Sequence, residues 1–208
     1  MTHTLHRAGT WENLQNDYIV FAMAAQNVNR DGAAPKLRKA LEIILSHNPV
    51  NFGDMKTGNK FSAGEQKVLE KIQDNSIVHG VFTDQSQVAA VLSDLKKADL
   101  GVSVVVSGLL EHVDQCCQSI NQQRHTVEHS LGIWGNIARL PEKETLQVTT
   151  MCGHGMVAAS LVEYLVEEIK NNRQSVKEAA QELARMCHCG VVNPVRAAVL
   201  LEEMARRG

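Results

Sequence analysis

The period of apolar and polar positions changes along the chain, and those changes divide it into elements. Residues 18–24 form a short unbroken apolar run of strand length. Residues 35–46 then place Leu37, Leu41, Ile44 and Leu45 at helical spacing. The stretch 48–60 carries Pro49, Gly53 and Gly58 among polar residues and is predicted as a loop. Ser62-Ala63-Gly64-Glu65 has capping-box spacing and predicts a helix to about Asp74. A regular alternation follows: strand 77–83, helix 85–97, strand 102–106, helix 109–119, strand 126–134. Short strands separated by helical segments predict an α/β sheet with crossover helices over residues 1–140, doubly wound or ferredoxin-like.

Beyond Pro141 the pattern turns wholly helical. Ala158, Leu161, Val162, Leu165, Val166 and Ile169 make one stripe of 3.6-residue period. Ser175 and Glu178 have capping-box spacing for a second helix, with Val176, Ala179, Ala180, Leu183 and Cys187 on its apolar side and Gly190 as its stop. Asn193-Pro194 opens a last helix with the face Ala197, Leu200, Leu201 and Met204. Residues 141–208 are therefore predicted as a helical subdomain.

Composition narrows the function. The formal net charge is −2, which leaves no basic footprint for a nucleic-acid backbone. Glu202 and Glu203 on the last helix argue against reading the final two helices as a DNA-binding pair. At 4% aromatic residues there is little to stack bases on. Apolar runs such as 102–110 are far shorter than the roughly 20 residues of a spanning helix, and the first residues lack the apolar core of a signal peptide. No membrane role and a cytoplasmic location are the expectation. Five cysteines are an odd number, spaced unlike a secreted disulfide framework, so reduced thiols used for metal binding or catalysis are expected.

Two motifs concentrate that chemistry: Met151-Cys152-Gly153-His154-Gly155 and Cys187-His188-Cys189-Gly190. The first is expected just before a helix beginning near Met156, where backbone N–H groups and the helix dipole would lower the pKa of Cys152. The second falls where the next helix stops. Short connections between antiparallel helices would bring the two motifs together. Cys152, His154, Cys187 and Cys189 would then complete a tetrahedral Cys3His zinc site. Alternatively, the three cysteines would hold an iron–sulfur cluster, of the 4Fe–4S kind, with one iron open to a small-molecule substrate. One-residue gaps between donors, and Gly153 and Gly155 leaving room for a bulky group, favour the cluster. The competing expectations are a metal-free cysteine enzyme acting on a small carboxylate, and a structural zinc site in a non-catalytic partner protein. Cys187 also fits a small buried apolar residue, and His188 a cation at a helix end.

Met151 to Gly155 resembles the active-site thiol motif of the proline racemase and hydroxyproline epimerase family. The resemblance covers five residues and implies Cys152 as an acid/base thiol, with His154 beside it and neighbouring amides holding a substrate carboxylate. That family carries a second Cys-Gly-Thr-Gly motif, where this chain has Cys189-Gly190-Val191-Val192.

Other candidates have simpler readings. On a strand, His125 and His129 would share a face with Val127, Leu131 and Ile133, as a metal or acid/base pair or as core histidines. His3 and His6, with Arg7, precede the first strand and would belong either to a mobile terminus or to an arm folding over the site. Cys116 and Cys117 fit a helix core with Val113 and Ile120. Ser107-Gly108, between a strand and a helix, is a weak anion-site signal.

Overall fold

A computed structural model of the protein describes residues 4–207. After one helical turn, α1 (Trp11–Leu14), strand β1 (Tyr18–Met23) leads into α2 (Ala34–Ser46). Strands β2 (Asn51–Asp54) and β3 (Gly58–Asn59) precede α3 (Glu65–Glu70) and β4 (Ile77–Phe82). Helix α4 (Gln85–Ala98), strand β5 (Ser103–Ser107) and helix α5 (Leu110–Ser119) complete this part. The sheet order is β3-β2-β4-β1-β5, and each pairing is antiparallel. With the two-residue β3 and the short α3 between β2 and β4 set aside, this is the βαββαβ arrangement of a ferredoxin-like sheet. The doubly wound alternative needs parallel strands and falls.

Alternation along β1 explains a sheet buried on both sides. Tyr18, Val20 and Ala22 join Leu37, Leu41, Ile44, Val88 and Val91 in the core beneath α2 and α4. Ile19 and Phe21 point the other way, as does Val81 of β4. They enter the core formed by α6 (Lys143–Thr149), α7 (Ala159–Lys170), α8 (Val176–Met186) and α9 (Pro194–Arg207). The C-terminal helices thus make a third layer that shares its apolar interior with the sheet.

Several local expectations are corrected. Residues 48–60 contain β2 and β3 rather than a loop. Asn51 donates to the Val192 carbonyl at 2.9 Å, and Asp54 accepts from the Ile77 and Thr57 N–H groups. Their polar side chains are satisfied in place, so a polar composition conceals a strand paired with β4. Residues 126–134, expected as a strand, carry no regular structure, and Leu131 and Trp134 are 81% and 84% exposed. No sheet edge takes them, and β5 stays outermost. Helix α3 is entered through Gly64 and ends at Glu70, while the Ser62 hydroxyl accepts from the Asn59 N–H. Among the described residues, no helix is long and apolar enough to cross a membrane.

Candidate functional site

Helices α6 and α8 each stop just short of a cysteine that opens a turn. The Gly155 N–H donates to the Cys152 carbonyl at 3.0 Å, and the Gly190 N–H to the Cys187 carbonyl at 2.9 Å. The two turns have one form, Cys-x-(His/Cys)-Gly, with sulfur or nitrogen donors at the first and third positions. Their closing glycines have φ of +69° and +88°, a backbone region that residues with a Cβ seldom enter. Helix α7 begins at Ala159, so Cys152 lies behind α6 rather than at a helix start, which corrects the sequence expectation.

The second turn is anchored to the sheet. Asn59, wholly buried, donates Nδ2 to the carbonyls of Ala184, Cys187 and His188 at 3.2, 2.7 and 3.4 Å. Gly53 of β2 lies under Cys189, whose carbonyl oxygen would stand 2.3 Å from a Cβ at that position. Close approach of strand and turn therefore requires glycine there.

The fold brings the two motifs together. Cys187 and Cys189 place their sulfurs 3.7 Å apart, and Cys189 Sγ is 3.6 Å from His154 Nδ1. Cys152 hydrogen-bonds Cys187, completing a chain of contacts from Cys152 through Cys187 and Cys189 to His154. All three cysteines are buried, while Gly153, His154 and Gly155 lie at the surface above them. Among the described residues, no group of three or more His, Cys, Asp or Glu side chains is arranged so that it could hold a metal ion as it stands. The donors touch in series rather than around a common centre.

Acidity within the chain of thiols runs against the sequence expectation. Donating its proton to Cys187, and then burial, raise the Cys152 pKa far above the thiol range, although the N–H groups of His154 and Met156 oppose this. At Cys187 the bond from Cys152 pulls downward, but donation to Cys189 and burial prevail and push it up to about 11. Cys189 alone of the three is lowered, first by the Cys187 hydrogen bond and also by the Val191 N–H and the charge of Arg7, against burial. Negative charge is therefore best accommodated at Cys189.

The remaining candidates separate from this centre. His188 is exposed and its Nε2 contacts the Lys56 carbonyl oxygen at 3.2 Å. His125 and His129 are exposed rather than paired in a core. His6 Nδ1 meets Ser130 Oγ at 3.0 Å, and His3 lies outside the described residues. Cys116 is buried in the α2–α4 core as expected, and Cys117 is half-buried beside it on α5. Gly108 is required by Tyr18, whose ring carbon would lie 2.5 Å from an added Cβ, so Ser107-Gly108 has a packing explanation. A groove of about 850 Å³ follows the open edge of β5, but none of Cys152, Cys187 and Cys189 lines it. The groove reports an uncovered sheet edge, apart from the cluster of cysteine side chains.

Asp17 and Arg196, which the sequence did not single out, complete the surroundings. Asp17 forms ion pairs with both Arg7 and Arg196, and Asn193 donates to its other oxygen. No family model, curated protein or solved structure matches the chain.

Proposed function

We propose that this is a thiolate metal-site protein of the cytoplasm, in which Cys152, His154, Cys187 and Cys189 hold a single soft ion of the zinc class. The observation that carries the reading is the pair of separations, 3.7 Å between Cys187 and Cys189 sulfurs and 3.6 Å from Cys189 to His154 Nδ1. Tetrahedral zinc with bonds of about 2.3 Å to sulfur and about 2.0–2.1 Å to nitrogen has edges of roughly 3.8 and 3.6 Å. Two matching turns, each contributing two donors, support the same reading. An ion would supply a Lewis acid and draw into one set the donors that now touch in series. The three cysteines supply the anionic ligands. Four protein donors close such a site, as in structural zinc centres, and His154, the exposed donor, is the ligand that a small-molecule substrate would have to displace to reach the ion.

A 4Fe–4S cluster on the same three cysteines bonds each of them to its own iron, and sulfurs in contact would have to part for it. Metal-free thiol chemistry on a small carboxylate is the second reading. The lowered pKa of Cys189 favours it, and moves the reactive thiolate there from Cys152.

Metal and acid-labile sulfide analysis of anaerobically purified protein separates these readings. Stoichiometric zinc without sulfide, lost in Cys189→Ser, is the expected result. Iron with sulfide selects the cluster. Protein that contains no metal and binds neither zinc nor cobalt after reduction overturns the metal reading, and rapid alkylation of Cys189 would then favour the thiol enzyme.

A further inference from the structure

Both thiol turns are held by one side chain from the far end of the sequence. Arg7 is 6% exposed at its side chain, and its Nη2 donates to the carbonyl of Met151, at 3.2 Å, and to that of Val191. Met151 precedes Cys152, and Val191 follows the Cys187–Gly190 turn by one residue. The other terminal nitrogen of Arg7 pairs with Asp17, to which Arg196 Nη1 also binds at 2.8 Å. Arg196 in turn donates to the Ala8 carbonyl at 2.6 Å, and the Ala8 N–H to Thr150 Oγ1 at 2.9 Å. The segment around Arg7 is thereby sewn to both sides of the thiol centre.

The charges do not cancel within this network. Two guanidinium groups share one carboxylate, which leaves one positive charge in excess among buried side chains. Arg7 Nε and Arg196 Nε have no hydrogen-bond partner among the described residues. Uncompensated buried charge is strongly unfavourable, so a counter-charge nearby is required. A divalent ion with three thiolates and a neutral imidazole carries one net negative charge. The excess on one side equals the deficit on the other.

We infer that Arg7 is the positioning residue of the thiol centre, tying the Cys152 turn to the Cys189 turn and supplying the positive charge that the metal-loaded site requires. The inference rests on the metal reading for its second half only; the tie between the turns stands on contacts present without an ion. Outer partners that orient ligands in this way typically change metal affinity by about 10–100-fold when removed.

The test compares wild type with Arg7→Met and Arg7→Lys, folding being verified by circular dichroism. Cobalt affinity is measured by competition, and the rate of Cys152–Cys187 cross-linking by diamide is measured in reduced, metal-free protein. Diamide takes up the two thiol hydrogens as the disulfide forms, becoming the hydrazine. Arg7→Met is expected to weaken cobalt binding by about tenfold or more and to slow cross-linking. Arg7→Lys keeps the charge but lacks the fork that spans two carbonyls and Asp17, so it restores affinity more than cross-linking. Should Arg7→Met fail to fold, Arg7→Lys carries the comparison, with slower cross-linking expected. Wild-type behaviour of the variants in both measurements overturns the inference. If wild type itself takes up no ion, the metal reading and the charge-balancing role fall together, and cross-linking alone decides the tie between the turns.

Discussion

Asn59 and the three sulfurs show how single side chains set the chemistry of this centre. Asn59 spends both donor positions of its amide on carbonyls at the end of α8, so the Cys187 turn leaves the helix in one direction only. The sulfurs then divide their protons unequally, and this has a measurable consequence in metal-free protein. Unfolded thiols ionise at about pH 8.5. In the folded state burial, first, holds Cys116 and Cys117 protonated above their ordinary range, and donated hydrogen bonds do so for Cys152. Cys187 stays protonated to about 11. Above the ordinary thiol range the unfolded chain therefore binds fewer protons than the folded one, and stability falls as pH rises. Cys189 acts in the opposite sense, its contribution being present at high pH and lost on acidification through its lowered folded pKa, but it is one group against four. The urea midpoint should drop between about pH 7 and pH 10, and Cys152→Ser should flatten that drop. A midpoint constant or rising over the range would contradict the proton assignment. Donor identities were legible in the sequence because glycine-flanked cysteines are unusual. The order of acidity was not, since it depends on which sulfur touches which.

Elements were legible wherever periodicity met a local start or stop signal. The capping box of Ser175 and Glu178 forms as its spacing predicts, with reciprocal bonds at both ends. Asn193 caps α9 by accepting from the N–H groups of Val195 and Arg196. Two segments were misread for opposite reasons. Strand β2 is polar, yet its backbone finds β4; residues 126–134 alternate like a strand, yet no strand among the described residues pairs with them. Pairing, not composition, makes a strand. An exposed segment without a ladder opens locally at little cost in free energy. Brief trypsin treatment should therefore cut first after Arg124, in an exposed irregular stretch, or after Arg139, at the end of the exposed single 3-10 turn Ile137–Arg139, before any site in α7, α8 or α9. Mass spectrometry of the first fragments checks this, and an initial cut within those helices would refute it.

At the scale of the whole molecule, the sheet joins two apolar layers. Leu183 of α8 is wholly buried in the same core as Ile19, Phe21 and Val81. Leu183→Ala should cost about 2–5 kcal/mol, and unfolding should remain one cooperative transition when followed by both helical signal and tryptophan fluorescence. A separate early transition of the C-terminal helices would mean that the layers do not share a core. The thiol centre depends on this layering, because Gly53 and Asn59 reach it from the sheet while Cys152 and Cys189 come from helix ends. Arg7 closes the arrangement from a segment 144 residues before Met151.

By itself the amino-acid sequence determined what acts over a few neighbouring residues: the principal strands and helices, the caps of α8 and α9, and the two donor-bearing motifs. Tertiary structure alone decided the antiparallel strand order, the pairing that makes β2 a strand, the meeting of the two Cys turns and the recruitment of Arg7, Asn59 and Arg196. Such contacts bring together residues from 24 to 188 positions apart, and their energy comes from burial and close approach in space. Periodicity along a chain records which face of an element is apolar, and carries no record of what that face will meet.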